Sequence, residues 1–556
     1  MKKRLLHSLK NQQTAMKRFL LFASLLSFSA HAQTVESAKN AGPTSHICDV
    51  MHTSPTEGDT AIAREDYDAA LVFYKAALLK PSASPDDHFG LVRAYIGKNM
   101  IAEATQEAAS MLASAPHSAL AEAASGEAAF RAADFNAVLT HAQTAINDDP
   151  CEARGHALLA DYYYLFAYFA TEAHQRATAH SLRPDDEIIL RDWISTLPRT
   201  QRTLELGKYL TANPNLSNKD HTAYQNEEDH LKARHPHECR ITSKAAAVSI
   251  PIIPVDMDPV HGPRGLGLEV VFNGKKRHLE LDTGASGILL SPSAASALKL
   301  PQEYHLHTGG VGDKGEVESY LTHVANIRIG DVEISDCMVE VLKKDRLDTD
   351  GLIGLDVFDK WAATLDFPHK KLSLVPLPPR PGDPATRTAN TTGPSGQQQD
   401  DDDDDRVPHD AIIPAEMHDW VHTVRIGHGI FLPATLNEKA HGYMLVDTGA
   451  GQTTLSTPFA KSAGKVHDEP DVHFTGISGE VKQTKYIDNV KLQFGNLRLP
   501  PASYYAFDIT TVSHNFGTEI SGFVGIPTLS RLTISIDYRD NLASFKYDPK
   551  NDPAAR

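Results

Sequence analysis

The tetrapeptide Asp-Thr-Gly-Ala occurs twice in this 556-residue chain, at residues 282–285 and 447–450. Each copy follows an apolar run with the composition of a β-strand. A single Asp-Thr-Gly usually marks only a strand that runs into a turn. Two copies in matching contexts predict that two similar segments come together by pseudo-symmetry and bring Asp282 and Asp447 into one site.

Two carboxyl groups in one site have a specific chemistry. Like charges about 3 Å apart cannot both ionise, so the pair shares one proton. One carboxylate then activates a water molecule while the other donates a proton to a carbonyl group. The flanking residues fit this arrangement, since Gly284 and Gly449 let two backbones approach closely and the hydroxyls of Thr283 and Thr448 can hydrogen-bond across a seam.

The sequence after each tetrapeptide repeats the same features in the same order. A glycine-rich stretch comes first, at offsets of 28 (310 − 282) and 29 (476 − 447) from the Asp. Its glycines are Gly310 and Gly312 in the first half and Gly476 and Gly479 in the second. Such a stretch is typical of an ordinary surface hairpin. Its recurrence favours a second interpretation, in which both are mobile hairpin tips that close over a substrate.

An apolar pair followed by glycine comes next in both halves. It ends at Gly354 and Gly525, at offsets of 72 (354 − 282) and 78 (525 − 447) from the Asp. Asp366 and Asp537 follow these glycines at the same offset of 12 (366 − 354 and 537 − 525). We therefore predict that one β-rich fold occurs twice.

These residues resemble the aspartic protease superfamily, whose lobes carry an Asp-Thr-Gly loop, a flap and a later apolar-apolar-Gly element that supports the active-site loop. The Ala after each Gly is similar to the retroviral-type branch, so the chain resembles a fused pair of retropepsin-like domains, as in bacterial aspartyl proteases. The resemblance implies a peptide or protein substrate, no cofactor and catalysis by Asp282 and Asp447. It implies active-site loop support by Thr283, Gly284, Thr448, Gly449, Gly354 and Gly525, and flaps that contain Gly310, Gly312, Gly476 and Gly479.

Ala285 and Ala450 stand where pepsin-like enzymes usually carry Ser or Thr. Ala removes a hydroxyl that would hydrogen-bond a carboxylate and favour its charged form. We therefore expect a less acid-shifted pH optimum than that of pepsin. The long connection between the two segments leaves two pairings open, within one chain or between two chains.

The amino-terminal third is Ala-rich and has the period of α-helices. Pro81, Pro116, Pro150 and Pro184 follow one another at intervals of 35, 34 and 34, and a period of 34 is that of the tetratricopeptide repeat. We predict such repeats over residues 45–216, with a concave face that binds a protein partner or recruits substrate. Three functions are open: an exported aspartic endopeptidase, a non-catalytic peptide-binding scaffold built on the repeats and a protease-like fold, or a protein that cleaves itself at the linker between the lobes.

The predicted fold is multidomain, with all-α tetratricopeptide-like repeats followed by two all-β retropepsin-like lobes that form a pseudo-dimer. Residues 1–32 have the three parts of a secretory signal peptide, which predicts a periplasmic or secreted protein. We expect no membrane span, because no other apolar stretch is long enough. The other predicted segments are a linker at 217–247, lobe 1 at 248–376, a disordered Pro-, Gly- and Asp-rich linker at 377–408 and lobe 2 at 409–550.

Export permits disulfides among Cys48, Cys151, Cys239 and Cys337, with three possible pairings. Two histidines lie close to Cys239, but no second ligand cluster has zinc-like spacing, so we predict no metal site and one structural or free thiol there. A net charge of −17 without a basic patch disfavours nucleic acid as a partner.

Overall fold

The computed structural model describes residues 48–52, 54–214, 216, 218–232, 239–242, 247–258, 262–380 and 408–550. The predicted signal peptide and nearly all of the predicted acidic linker lie outside the described residues. The chain divides into two units, residues 1–49 and residues 50–556. All elements below belong to the second unit.

Helical hairpins form the first part of this unit. Their helices are Glu57–Ala63 (α1), Tyr67–Ala77 (α2), Pro85–Gly97 (α3), Ile101–Ser114 (α4), Ala119–Arg131 (α5), Phe135–Asp148 (α6), Ala153–Leu165 (α7), Phe169–Leu182 (α8), Glu187–Ser195 (α9), Arg199–Ala212 (α10) and Asn218–Lys232 (α11). Side-chain caps start many of them. At α3, for example, Ser84 Oγ accepts a hydrogen bond from Asp87 N at 3.2 Å, which satisfies one of the free donors of the first turn.

The hairpins repeat with the period seen in the prolines. The four prolines noted above each lie in the loop between one hairpin and the next. The turn inside each hairpin contains one residue with a left-handed backbone, at Glu65, Asn99, Ala133 and Ala167, each with φ of 59°. Successive positions in this series differ by 34 each time (99 − 65, 133 − 99 and 167 − 133). The prediction of tetratricopeptide-like helical repeats is confirmed.

The array continues past the predicted boundary at residue 216. The segment predicted as a linker, 217–247, contains α11 and a short strand, Arg240–Ile241 (β1). Leu231 of α11 packs against Leu206 and Leu210 of α10. Because α11 carries few other apolar residues among its Asn, Asp, Glu and Lys, its helical period is weak in the sequence.

Lobe 1 contains eleven further strands and one α-helix among the described residues. They are Val248–Pro251 (β2), Ile253–Asp258 (β3), Gly262–Phe272 (β4), Lys275–Leu281 (β5), Ile288–Leu290 (β6), Pro292–Leu298 (α12), Tyr304–Thr308 (β7), Val317–Ile329 (β8), Val332–Leu342 (β9), Gly351–Ile353 (β10), Trp361–Asp366 (β11) and Lys371–Pro376 (β12). Its main sheet runs in the order β1-β9-β6-β10-β5-β4-β8-β7, with β3 paired to β4.

Lobe 2 follows the same plan. Its described elements are Val421–His422 (β13), Val424–Ile426 (β14), Gly429–Leu436 (β15), Ala440–Val446 (β16), Thr454–Ser456 (β17), Thr457–Ala463 (α13), His467–Asp468 (β18), Thr475–Gly476 (β19), Gly479–Glu480 (β20), Thr484–Val490 (β21), Leu492–Phe494 (β22), Leu497–Arg498 (β23), Ala502–Phe507 (β24), Thr510–Asn515 (α14), Gly522–Val524 (β25), Ile526–Leu529 (α15), Leu532–Asp537 (β26) and Leu542–Tyr547 (β27). Its main sheet runs β18-β21-β24-β17-β25-β16-β15-β22-β23, with β14 paired to β15.

A shared sheet joins the two lobes of the same chain. Its order is β13-β27-β26-β11-β12-β2, so strands of both lobes form one six-stranded layer. The lobes meet where β11 pairs antiparallel with β26, with Thr364 opposite Ser535 and their hydroxyls 2.8 Å apart. Pairing within one chain, left open by the sequence, is the arrangement in this structure. The predicted all-β pseudo-dimer is confirmed.

Lobe 1 also contains a two-residue hairpin turn and a disulfide. Asn273 and Gly274 have φ of 46° and 85° and join β4 to β5, as expected of a two-residue turn with positive φ at both positions. Cys239 and Cys337 are joined in a disulfide with a sequence separation of 98. Among the described residues no cysteine is free. Of the two predictions for Cys239, the structural role agrees with the structure and the free thiol does not.

The helical array rests directly on lobe 2. Arg131, at the end of α5, is almost fully buried and forms an ion pair with Glu519 at 3.1 Å. Asn541 Nδ2 donates to the carbonyl at the end of α7 at 3.1 Å. The rings of Phe135 and Tyr443 pack with their centroids 4.8 Å apart, and Tyr443 belongs to β16. The array therefore contacts the strand that leads to the second Asp-Thr-Gly.

Candidate active site

Parallel strand pairs place the two Asp residues at equivalent positions. β5 pairs in parallel with β10, and β16 pairs in the same way with β25. As the chain leaves each central strand, Asp282 N donates to Ile353 O at 3.0 Å and Asp447 N donates to Val524 O at 3.1 Å. The apolar-apolar-Gly elements found in the sequence are thus the strands that hold the two Asp loops.

The two threonines join the loops across the lobe boundary. Thr283 Oγ1 donates to Val446 O at 2.7 Å and accepts from Thr448 N at 3.1 Å. In return, Thr448 Oγ1 donates to Leu281 O at 2.6 Å and accepts from Thr283 N at 3.0 Å. Both threonines are buried, so these four bonds form without competition from water and hold the two loops in register.

The two glycines are required by the close approach of the loops. A Cβ atom on Gly449 would lie 2.6 Å from the Asp282 carboxyl carbon. A Cβ on Gly284 would lie 3.0 Å from the Asp447 carboxyl carbon and 3.2 Å from an Asp282 oxygen. Any side chain at either position would therefore push the carboxyls away from each other.

The structure brings the carboxyls of Asp282 and Asp447 together, since a Cβ on Gly284 would lie 3.1 Å from Asp447 Oδ1 and 3.2 Å from Asp282 Oδ1. Gly284 N donates to Asp282 Oδ1 at 2.8 Å. Gly449 N and Ala450 N donate to Asp447 Oδ1 at 3.0 and 2.9 Å. Main-chain donors thus hold one oxygen of each carboxyl in place.

The environment raises the pKa of both carboxyls. Removal from bulk water is the main cause for each. For Asp282 it is partly offset by the hydrogen bond from Gly284 N, by the bond to Asp447 and by the charge of His428. For Asp447 the negative charge of Asp282 adds to it, so its pKa lies well above the usual carboxyl range. The pair therefore keeps one shared proton at a pH where a free carboxyl group has lost its own.

The two predicted support glycines lie directly against the Asp loops. Gly354 N donates to Gly287 O at 2.7 Å, and a Cβ on Gly354 would lie 2.5 Å from Ala285 O. A Cβ on Gly525 would lie 2.6 Å from Ala450 O. The chain after each apolar pair therefore packs on the loop with no room for a side chain.

Further residues support the loops and escaped the sequence analysis. Asp356 accepts from Gly287 N at 2.9 Å and from Ser286 Oγ at 3.0 Å. In lobe 2, the hydroxyls of Thr453 and Thr528 lie 2.8 Å apart. Lobe 1 uses a carboxylate for this support and lobe 2 uses hydroxyls, so these residues do not form a repeated pattern in the sequence. His428 was also missed in the sequence; its Nε2 lies 2.9 Å from Gly284 O.

The predicted flap glycines come together at one place. The tip of the lobe 1 hairpin, residues 309–316, meets the tip of the lobe 2 hairpin, residues 477–478. Gly310 N donates to Ser478 Oγ at 3.1 Å, Ser478 N donates to Val311 O at 3.0 Å, and Lys314 N donates to Ser478 O at 2.9 Å. Ser478, which the sequence analysis did not single out, is fully buried in this contact.

The other flap glycines allow the tips to touch. Gly312 and Gly479 have φ of 130° and 94°, in the region that favours glycine. A Cβ on Gly312 would lie 2.4 Å from Gly479 O, and a Cβ on Gly476 would lie 2.5 Å from the Val311 carbonyl oxygen. Ile477 of the lobe 2 tip packs on a buried lobe 1 cluster of Leu289, Leu342 and Leu352, which Ala285 of the first Asp loop also contacts. The lobe 2 tip therefore reaches the core beside the first Asp loop.

Comparison with known proteins agrees with this geometry. The sequence model of the Aspartyl protease family matches residues 268–357 and 432–528, which include both Asp loops and both support glycines. The chain therefore contains an aspartyl protease domain built from two segments. No curated protein sequence matches this chain.

Three solved structures are similar to parts of this chain. A retropepsin-like aspartic protease from Rickettsia conorii matches at 19% identity over 24% of this chain and 94% of its own, with a TM-score of 0.19. An aspartic proteinase from Irpex lacteus matches at 10% identity over 56% and 100%, with a TM-score of 0.33. A TPR protein from Thermus thermophilus matches at 17% identity over 31% and 94%, with a TM-score of 0.25.

Two features are absent from the described residues. Within the part of the chain that the structure describes, no three or more His, Cys, Asp or Glu side chains are grouped as metal ligands would be. Across the same residues, every helix is too short or too polar to cross a membrane.

Proposed function

We propose that this protein is an exported aspartic endopeptidase in which Asp282 and Asp447 activate water for peptide hydrolysis. The observation that carries the proposal is the close pair of buried carboxyls, whose pKa values are both raised, that of Asp447 further than that of Asp282. A pair of carboxyls with different proton affinities provides a general base and a general acid at the same pH.

The proposed reaction assigns a role to each carboxyl. Asp282 takes a proton from water as the water oxygen bonds to the carbonyl carbon of the peptide, and Asp447 gives its proton to the carbonyl oxygen. The resulting diol returns a proton to Asp447 while Asp282 gives its proton to the peptide nitrogen. The carbon–nitrogen bond then breaks, which releases an acid and an amine and restores one proton on Asp447.

The flap contact constrains how a peptide enters. Because the two tips are hydrogen-bonded to each other over residues 310–314 and 478, a folded protein does not reach the dyad until they separate. We propose that the tips open for an extended or unfolded segment and close over it, which excludes water from the reaction. The repeat array, anchored on lobe 2, recruits the substrate or a partner that delivers it.

The test is cleavage of a denatured protein mixture by purified residues 33–556, between about pH 3 and about pH 8, beside Asp282→Asn and Asp447→Asn. We expect the parent to cleave and each variant to lose activity by about three orders of magnitude or more. Near-ultraviolet circular dichroism checks that the variants fold. A folded parent that binds peptides but cleaves none across this range contradicts the proposal in favour of a non-catalytic scaffold.

Export is the second part of the proposal and has its own test. Residues 1–32 act as a cleaved signal peptide, so the mature chain begins near Gln33 and works in the periplasm or outside the cell. Amino-terminal sequencing of the protein recovered from fractionated cells should begin at or near Gln33. Recovery of an uncleaved chain in the cytoplasm contradicts this part and leaves the dyad chemistry unaffected.

A further inference from the structure

His428 connects lobe 2 to the first Asp loop. It lies in the turn between β14 and β15, after Gly427, whose φ of 57° lets the chain reverse there. From this turn its Nε2 reaches Gly284 O, in the opposite lobe, at 2.9 Å. A carbonyl oxygen only accepts hydrogen bonds, so Nε2 carries the hydrogen in this contact.

Aromatic packing holds the imidazole in place. Its ring packs on Phe516 with centroids 5.7 Å apart, and Phe516 packs edge-on against Phe431 at 5.1 Å. Phe431 belongs to β15 and is buried. The ring therefore has a fixed support on its own lobe, and its direction does not depend on the hydrogen bond alone.

The carbonyl that His428 holds belongs to a residue that orients the dyad. Gly284 N donates to Asp282 Oδ1 at 2.8 Å, and its Cα faces the Asp447 carboxyl so closely that no side chain fits between them. A rotation of Gly284 would therefore lengthen the bond to Asp282 and change the distance between the carboxyls. Glycine rotates easily, because it has no Cβ to restrict its backbone.

We propose that His428 is a positioning residue for the dyad, whose Nε2–H holds the Gly284 carbonyl and thereby fixes the Asp282 carboxyl against Asp447 across the lobe boundary. This inference rests on the proposed function and names a residue outside both Asp-Thr-Gly loops. The positive charge that the imidazole carries when protonated also favours the ionised form of Asp282 and lowers its pKa, in line with the role of base.

The test compares three variants of residues 33–556. His428→Phe keeps a ring against Phe516 but has no donor, whereas His428→Gln keeps an N–H donor at a similar reach. His441→Phe is the matched control, because His441 is an exposed residue of lobe 2 on β16.

We expect His428→Phe to lower kcat by about 10- to 100-fold with KM within about twofold, since misplacement of a reacting group by about 1 Å costs up to about 100-fold. His428→Gln should keep kcat within about threefold of the parent, and His441→Phe should match the parent. Near-ultraviolet circular dichroism compares their folding.

The outcomes separate the two proposals. Cleavage by the parent with an unchanged kcat in His428→Phe overturns the positioning role alone. Equal loss in the Phe and Gln variants also overturns it, because the ring shape and not the donor would then matter. A parent that does not cleave overturns the proposed function and this inference together.

Discussion

Replacing Thr448 with Val tests whether the threonine seam holds the two lobes in register. Val has nearly the shape of Thr, so the substitution removes a hydroxyl and leaves no cavity. The hydroxyl that is lost makes two bonds, a donation to Leu281 O at 2.6 Å and an acceptance from Thr283 N at 3.0 Å. Both partners are main-chain groups next to Asp282, so their displacement acts directly on the dyad.

The expected loss of stability follows from these two bonds. Thr448 is 3% exposed and Thr283 is 1% exposed, so water does not replace the lost hydroxyl. Leaving a buried donor or acceptor without a partner costs about 1–3 kcal/mol, and two such groups cost about 2–6 kcal/mol in unfolding free energy. Thr448→Ser keeps the hydroxyl and loses one methyl group, which costs about 1 kcal/mol.

Urea unfolding monitored by tryptophan fluorescence measures the difference. The chain has three tryptophans. Trp193→Phe removes the one in the helical array, so Trp361 and Trp420 report on the lobes. In that background we expect a large shift in midpoint for Thr448→Val and a small shift for Thr448→Ser. A Val variant within about 0.5 kcal/mol of the Ser variant would refute the reasoning, because the seam bonds would then add nothing to stability.

Other predictions follow from the dyad and the array. Gly449→Ala should abolish cleavage, because its Cβ would lie 2.6 Å from the opposite carboxyl carbon, whereas Gly451→Ala, with open space around its Cβ, should remain active; equal activity of the two contradicts the close approach. The pKa of Asp447 is raised in the folded state. Its contribution to stability is therefore present at pH values below the unfolded-state pKa and is lost as the pH rises through the folded-state pKa. Asp447→Asn does not titrate, so its gain in Tm over the parent should grow from about pH 4 to about pH 8 in scanning calorimetry; a constant difference contradicts the raised pKa. Without the Ser or Thr hydroxyls of pepsin-like loops, the pH–rate profile should peak at a higher pH than that of pepsin, and an optimum near about pH 2 contradicts this. Arg131→Met leaves the partly buried Glu519 without its partner and should cost about 1–3 kcal/mol in urea unfolding, part of which the additional change Glu519→Gln restores; full stability of the single variant contradicts the anchoring of the array by this pair.

Much of the site was accessible from the sequence because its parts are local and duplicated. Asp282 and Asp447 each follow a strand, and the turn chemistry at Gly284 and Gly449 depends on neighbouring residues. Residues that contact the loops from a distance were missed. Asp356, Ser478 and His428 make their contacts across 69, 168 and 144 residues of sequence. They also have no counterpart of the same type in the other lobe, so duplication gave no signal for them.

In the helical array, too, some features were visible in the sequence and others were not. Its period was visible in the prolines, because proline ends helices at a fixed place in each repeat. The turns within the hairpins were not visible, since Glu65, Ala133 and Ala167 adopt a left-handed backbone that only Asn99 among the four favours by its own chemistry. There the packing of neighbouring helices, and not local preference, decides the conformation.

By itself, the sequence determined the strands, the two Asp-Thr-Gly turns, their supporting glycines and the repeat period, since each depends on side chains within a short stretch of chain. Tertiary structure alone decided how far the pKa of each carboxyl is raised, how the flap tips meet, that the lobes pair within one chain and where the array rests. The physical reason is that the pKa of a carboxyl depends on how much water folding removes from it and on which charges folding places beside it. Contacts between distant segments likewise form only when folding brings their surfaces together.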